Sequence, residues 1–163
     1  MVFFVPDPEA DPGQAGPAGS VGTGDFGSVY SNGISVLQAP GTAFTKLTGL
    51  FTVNGLTAGG GVTPNQALDQ LVINTTGIYS LWSLVSAKGS GLGIFSIQAR
   101  RNGIALPDVA GQDTVLTQPF WGAARGKGAV SLTSGDVIEV YGFTSAVITL
   151  TYTDAMLCAK RLA

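Results

Sequence analysis

From Phe26 onwards, short runs of β-branched and aromatic residues alternate with breaks made of Gly, Asn, Asp and Pro. Runs spaced roughly ten residues apart are typical of strands joined by tight turns, and no window has the apolar periodicity of a helix. The Asn102-Gly103 pair is the clearest turn, because both residues tolerate the positive φ that a tight hairpin needs. The sequence therefore predicts an all-β, antiparallel β-sandwich of the jelly-roll kind.

The runs and breaks define the expected strands one by one. We predict nine strands, at 29–37, 46–53, 70–74, 77–87, 93–101, 115–118, 129–132, 137–144 and 146–159. Residues 59–64 are predicted to form a loop, because three consecutive glycines open the segment and Pro64 closes it.

Several of these strands are apolar on both faces. In 77–85 one face carries Tyr79, Leu81 and Val85, and the other carries Ile78, Trp82 and Leu84. An antiparallel sheet with one wet face should instead alternate apolar and polar residues. Only 11% of the residues are charged, so little polar surface is available to cover a lone domain. We therefore expect other copies of the chain to cover the second face.

Residues 1–25 differ from the rest of the chain. They hold four acidic side chains and no basic one, whereas residues 26–163 hold six acidic and eight basic ones. We predict an extended tail at 1–25 and one jelly-roll domain at 26–163. The apolar residues Val2, Phe3, Phe4 and Val5 are either a docking anchor or a frayed end. Glycine then recurs every third residue at Gly13, Gly16, Gly19 and Gly22, which fits either a collagen-like stretch or a flexible linker.

Three segments in order resemble the C1q/TNF-like jelly-roll superfamily. They are Asn74-Thr-Thr-Gly-Ile-Tyr-Ser-Leu81, Phe95-Ser-Ile-Gln-Ala-Arg-Arg-Asn-Gly103 and Ala129-Val-Ser-Leu-Thr-Ser-Gly-Asp-Val-Ile-Glu-Val140. The segment 151–158 departs from the family's usual last strand. The resemblance implies a homotrimer with aromatic and aliphatic side chains packed about a threefold axis. For that interface we predict Tyr79, Trp82, Tyr141, Phe143 and Tyr152.

The composition excludes most chemistry. The chain has no histidine and a single cysteine, so we predict no catalytic triad, no disulfide, no metal and no cofactor, and hence no enzyme. A net charge of −2 without a basic run predicts no nucleic-acid partner. No stretch approaches the roughly 20 apolar residues of a membrane span, so we predict no membrane partner. The opening five apolar residues make a poor secretion signal, and we expect synthesis in a reducing cytoplasm.

The remaining polar and aromatic residues are interpreted as structural or as ligand-binding side chains. Asp136 is either a turn cap or a calcium ligand, and we favour the cap. Asp108 and Asp113 supply too few oxygens for calcium by themselves. Phe120 and Trp121 would stack on a sugar or pack together. Cys158 is interpreted as an inert core thiol.

The basic residues are expected on the surface. Arg100 and Arg101 precede the hairpin turn, where we expect solvated side chains. Arg125 and Lys127 would either contact an anionic partner or lie in a mobile loop, and we favour the loop.

Our leading hypothesis is a non-enzymatic structural virion protein of a bacterial virus, assembled in the host cytoplasm and displayed on the virion surface. It would be a trimeric capsid-decoration, head-fibre or spike subunit, bound through residues 1–25 to the major capsid protein or another virion protein. The alternative is a C1q-like recognition or adhesin module for a host-surface glycan or receptor, with loops such as 119–127 or 58–65 in contact. A bacterial spore or surface collagen-like protein would need many more glycine triplets.

Overall fold

The computed structural model describes residues 24–115 and 121–163. The predicted anchor at 2–5, the glycine triplets at 13–22 and Phe120 lie outside these residues. The strands are β1 (Phe26–Gln38), β2 (Thr45–Lys46), β3 (Val53–Ala58), β4 (Val62–Asn65), β5 (Gln70–Ile73), β6 (Gly77–Gly89), β7 (Gly93–Arg101), β8 (Ile104–Val115), β9 (Gly122–Leu132), β10 (Val137–Thr144) and β11 (Leu150–Arg161).

The strands form two antiparallel sheets that pack face to face. One sheet has five strands in the order β3-β1-β11-β6-β9. The other has the order β4-β5-β10-β7-β8, and β2 pairs with β10 beside it. A 3₁₀ turn at Gln66–Leu68 is the only helical segment among the described residues. This part of the chain therefore has no helix that is long and apolar enough to cross a membrane.

The core lies between the sheets and follows the alternation of the strands. In β6 the side chains of Tyr79, Leu81, Val85 and Ala87 point inward and are buried. Phe95 packs against Tyr152 across the core, with ring centroids 5.9 Å apart. Every second residue of these strands enters one continuous apolar cluster, as expected for a sandwich.

Two residues of the predicted trimer interface belong to this core. Tyr79 and Tyr152 have no exposed surface in the single chain, so the prediction that they face a partner is wrong. The Tyr79 hydroxyl donates to the carbonyl of Thr75 at 2.7 Å. The Tyr152 hydroxyl has no partner within the described residues, and burial raises its pKa well above the ordinary value. Both aromatic rings fill space between the two sheets of the single chain, where Tyr152 packs against Phe95.

Two of the predicted segments are corrected by the structure. The predicted strand 46–53 is strand only at its two ends, in β2 and β3. The predicted loop 59–64 contains the start of β4, which pairs with β5. Residues 116–118 of the strand predicted at 115–118 lie outside the described residues, and Val115 belongs to β8 (Ile104–Val115), a strand that was not predicted. β8 is an edge strand, and Pro107 is tolerated there because an edge strand leaves alternate N–H groups unpaired.

Asp69 explains why 47–52 is not a strand. Its carboxylate accepts hydrogen bonds from the backbone N–H groups of Gly49, Leu50 and Phe51 at 2.6–2.8 Å. These donors are therefore satisfied by one side chain instead of by a neighbouring strand. The loop carries Leu47, Leu50 and Phe51 into the core, and Asp69 itself is buried.

Glycines bring the edge strands of the two sheets into direct backbone contact. A Cβ atom at Gly126 would lie 2.8 Å from the carbonyl carbon of Val109, and one at Gly122 would lie 2.7 Å from the carbonyl oxygen of Thr114. A Cβ at Gly111 would overlap the backbone of Arg125. β8 and β9 thus close one side of the sandwich with no side chains between them.

Candidate interaction surfaces

An apolar belt crosses the outer face of the five-stranded sheet. We define the belt as Tyr30, Trp82, Leu84, Met156 and Cys158. Strand register places Cys158 opposite Trp82, and Met156 opposite both Tyr30 and Leu84. Met156 is 36% exposed, and Tyr30 is more exposed still. These residues alternate with the core residues of the same strands, so the middle of β6 and of β11 is apolar on both faces, as predicted for β6.

Cations border the belt along β9. Lys127 pairs with Trp82 and Arg125 pairs with Leu84. The Lys127 ammonium lies 5.3 Å from the centroid of the Trp82 ring, within the range of a cation–π contact. A shallow depression of about 250 Å³ is lined by Trp82, Leu84, Met156 and these two cations. Arg125 and Lys127 therefore lie on a strand beside the belt, which corrects the prediction of a mobile loop.

Cys158 is the buried member of the belt. Its neighbours Leu157 and Ala159 point into the core, so its own side chain is on the outer side of the sheet. Burial raises the pKa of the thiol to about 11, which keeps it protonated near neutral pH. The prediction of a core thiol is corrected in its position, because Cys158 belongs to the outer belt and not to the sandwich core.

A second aromatic cluster occupies the outer face of the six-stranded sheet. Phe44 packs on Phe143 with ring centroids 5.5 Å apart. The Arg100 guanidinium lies 4.3 Å from the centroid of the Tyr141 ring. Arg100 is therefore half-buried on aromatic rings, and the prediction of a solvated side chain is wrong for it. Burial of its aliphatic stem against aromatic residues explains the difference.

The three remaining residues of the predicted trimer interface are split between the belt and the second aromatic cluster. Trp82 lies on the five-stranded sheet, whereas Tyr141 and Phe143 lie on the opposite face of the sandwich. In a closed trimer, each protomer meets its two neighbours in directions about 60° apart. Two opposite faces cannot both satisfy that condition, so a threefold interface built on Trp82 excludes Tyr141 and Phe143.

Two of the three candidate calcium ligands, Asp136 and Asp113, are occupied by structural hydrogen bonds. The Asp136 carboxylate accepts from the backbone N–H of Thr133 and from the side-chain amide of Asn102, both at 2.8 Å. Burial by itself would raise the pKa of Asp136, but these hydrogen bonds, the Thr133 hydroxyl and the nearby charge of Arg101 lower it below the ordinary value. Asp136 therefore caps the turn before β10, as predicted.

Asp113 has a similar structural role. Its carboxylate accepts from the backbone N–H groups of Thr114 and Ala123, which links β8 to β9. Among residues 24–115 and 121–163, no group of three or more His, Cys, Asp or Glu side chains is arranged to hold a metal ion.

Trp121 is the most accessible large aromatic side chain in the described part of the chain, with 53% of its surface exposed. The Lys88 ammonium lies 3.8 Å from the centroid of its ring. The predicted pairing of Trp121 with Phe120 lies outside the described residues.

Comparisons with known proteins define the class of this fold. No protein-family model matches the sequence, and no curated protein matches it significantly. The globular domain of zebrafish complement 1qA is similar in structure, with a TM-score of 0.56, 13% identity and coverage of 85% of this chain and 98% of that one. Murine APRIL has a TM-score of 0.55 and 19% identity over 85% of this chain and 99% of its own.

An insect protein shows the same likeness. The TNF protein Eiger from S. frugiperda has a TM-score of 0.52 and 15% identity, covering 85% of this chain and 94% of its own. The order of the strands and these three likenesses identify a C1q/TNF-like jelly roll, which confirms the predicted fold class.

Proposed function

We propose that the protein is a non-enzymatic homotrimeric subunit whose threefold interface is the apolar belt. The observation that carries the proposal is a band of apolar side chains on an outer sheet face, in which Tyr30 and Met156 are exposed and Trp82 and Leu84 are partly exposed. Apolar patches of this kind are typical of interfaces between copies of a protein. In a trimer, the belt residues of three copies would face one another, while Lys127 and Arg125 would lie towards the rim.

Met156→Asp is expected to turn the trimer into a folded monomer. Three carboxylates brought together in a dry interface would lose their hydration and repel one another, whereas one carboxylate on an exposed sheet face remains hydrated. Sedimentation velocity at micromolar concentration measures the change as a fall to about one third of the mass, and circular dichroism checks that the strand content stays the same.

The matched control is Ile104→Asp. Ile104 is an exposed apolar residue on β8 in the other sheet, so this variant is expected to remain trimeric. A wild-type monomer under the same conditions would contradict the proposed trimer, and so would a Met156→Asp protein that stays trimeric.

The roles of the buried carboxylates support a non-enzymatic function. Asp69 and Asp136 each accept several hydrogen bonds that hold a loop or turn. Asp25 accepts from the backbone N–H of Gly61 at 3.0 Å and forms an ion pair with Arg161 at 3.3 Å. These groups stabilise the fold, and their hydrogen-bonding capacity is used for that purpose.

The position of Asp25 supports a tether role for the tail. Asp25 is clasped between Gly61 and Arg161 at the end of the sandwich where β1 begins and β11 ends. Cyclic symmetry would place three such ends on one side of a trimer, so that three tails leave in one direction. We propose that these tails anchor a bacteriophage decoration, fibre or spike trimer to a capsid or other virion protein, and that the domain projects from the virion surface.

Deletion of residues 1–23 is expected to abolish incorporation into virions. The deletion keeps Asp25 and its two partners, so the domain should fold and form trimers without its tail. Mass spectrometry of purified particles would detect the full-length chain at a copy number divisible by three and would find the truncated chain missing. Equal incorporation of both forms would overturn the tether role.

The exposed indole of Trp121 favours the second candidate, a recognition module for a host-surface glycan. The two proposals share the trimer and differ in location. The particle measurement separates them, because a free recognition module would be missing from purified virions.

A further inference from the structure

The end of the sandwich opposite the tail carries two highly exposed aliphatic side chains. Leu92, in the loop between β6 and β7, is 67% exposed. Val147, in the loop between β10 and β11, is 90% exposed. We call loops 90–92 and 145–149 the distal tip. The tip lies roughly 35 Å along β11 from Asp25, because Leu150 begins that strand and Arg161, the ion-pair partner of Asp25, ends it.

Hydrogen bonds hold the two tip loops side by side. Ser90 donates its N–H to the carbonyl of Thr149 at 2.9 Å, and its hydroxyl accepts from the N–H of Thr149 at 3.0 Å. Ser145 and Ile94 exchange an equivalent pair of bonds, both at 2.9 Å. Ile148 is buried beneath the loops. These bonds hold the loops that carry the exposed residues in one conformation. The conformational entropy of the loops is therefore already lost on folding and need not be lost on binding.

The tip loops and the strand ends that carry them hold no charged side chain, and the carboxylate of Asp113, opposite Phe95 on β8, lies three residues behind the tip. Residues 26–45, 89–99 and 140–153 contain no Asp, Glu, Lys or Arg. The loop after β1 lies beside the tip, because Thr144 donates its N–H to the carbonyl of Gly41 at 2.9 Å. The charged ion pairs of the described chain, Asp25–Arg161 and Lys46–Glu139, lie elsewhere.

Trp121 and Lys88 stand behind this uncharged end. Lys88 lies opposite Thr151 on β11, and its ammonium lies over the Trp121 ring, roughly 10 Å behind the tip at three residues of strand rise. An apolar surface that enters a bilayer is buried about 5–10 Å into the boundary of headgroups and acyl chains. At that depth Trp121 and Lys88 would lie among the headgroups, where indole rings and lysine ammonium groups are favoured.

From this arrangement we propose that the distal tip binds the surface of a lipid bilayer. Side chains as exposed as Val147 protrude and have no groove around them, and a fluid bilayer can surround a protrusion. Because the tip loops hold no charged side chain, entering the boundary region does not incur the large cost of desolvating a charge. The sequence predicts no membrane partner because it has no spanning stretch, but a peripheral contact needs none.

The inference does not require the proposed trimer, although a trimer would strengthen it. Cyclic symmetry would place three tips on the side opposite the three tails. Simultaneous insertion of the tips would raise the apparent affinity without any new contact.

Flotation with phosphatidylcholine vesicles that contain a minor share of phosphatidylglycerol tests the proposal on the full-length chain. Wild-type protein is expected to float with the vesicles, and Leu92→Ser or Val147→Ser is expected to lower the partition coefficient about tenfold. The Trp emission should shift to the blue on binding, and Trp121→Phe should remove most of that shift, since Trp82 is the other tryptophan.

The matched control is Leu56→Ser. Leu56 is 81% exposed on β3, away from the tip, so this variant should bind vesicles as the wild type does. Failure of wild-type protein to bind vesicles would overturn the proposal, and so would an equal loss of binding in Leu56→Ser. Sedimentation of each variant reports the trimer separately, so failure of the trimer and failure of membrane binding are distinguishable.

Discussion

Asp69→Ala is expected to destabilise the domain by about 4 kcal/mol, which lowers Tm by roughly 8–16 °C in a chain of this size. The substitution removes the acceptor of three backbone N–H groups, those of Gly49, Leu50 and Phe51. Leu50 and Phe51 are buried, so water cannot easily replace the lost carboxylate. Asp69 also has a left-handed backbone with a φ of 51°, which alanine adopts less readily than aspartate.

Asp69→Asn is the matched control for this prediction. One carboxylate oxygen, Oδ1, accepts from both Leu50 and Phe51, and an asparagine oxygen can take its place. Only the hydrogen bond from Gly49 is lost, so we expect the free energy of unfolding to decrease by about 1–2 kcal/mol. Urea unfolding followed by tryptophan fluorescence measures both variants. If the alanine and asparagine variants lose the same free energy of unfolding, the carboxylate does not hold the 47–52 segment through these hydrogen bonds.

Gly111→Ala is expected to cost about 3 kcal/mol and to lower Tm by roughly 6–12 °C. The new methyl group would overlap the backbone of Arg125, and a backbone cannot rotate away as a flexible side chain can. The edges of the two sheets would have to separate, which would also disturb the contacts of Gly122 and Gly126 with β8.

Gly91→Ala is a suitable comparison for thermal unfolding. Its nearest atom would be a methyl carbon of Ile148 at 3.4 Å, an ordinary contact distance, and its backbone does not have a positive φ. We expect the free energy of unfolding of this variant to lie within about 0.5 kcal/mol of the wild-type value. A Gly111→Ala protein as stable as Gly91→Ala would show that β8 and β9 are not in direct backbone contact.

Much of the strand pattern was accessible from local sequence. The predicted strands Gly93–Arg101 and Val137–Thr144 have the observed bounds. The hairpin at Asn102-Gly103 is confirmed, with φ values of 52° and 80°. These segments were predictable because apolar alternation and turn preference act within a few residues.

The elements that were missed depend on distant partners. β8 contains Pro107, two Asp residues and a Gly, so its composition is atypical of a strand. It is a strand because β7 supplies its hydrogen bonds and β9 supplies its packing. The 47–52 segment has a strand-like composition, but a carboxylate from a residue about twenty positions later takes its N–H groups.

The candidate interface shows the same difference between what local sequence predicts and what distant contacts decide. Local alternation correctly indicates that β6 is apolar on both faces, but it cannot tell which face points into the core. Tyr79 and Trp82 are three positions apart and so lie on opposite faces, one inside the sandwich and one outside. Met156 and Tyr30 join the belt only through the pairing of β1, β11 and β6.

The sequence by itself determined that this chain forms short antiparallel strands with two apolar faces, because side-chain period and turn chemistry are local properties. Only the tertiary structure decided which apolar residues fill the core, which form the outer belt and which protrude at the distal tip. Burial depends on what the second sheet covers, and that is set by contacts between residues far apart in the chain.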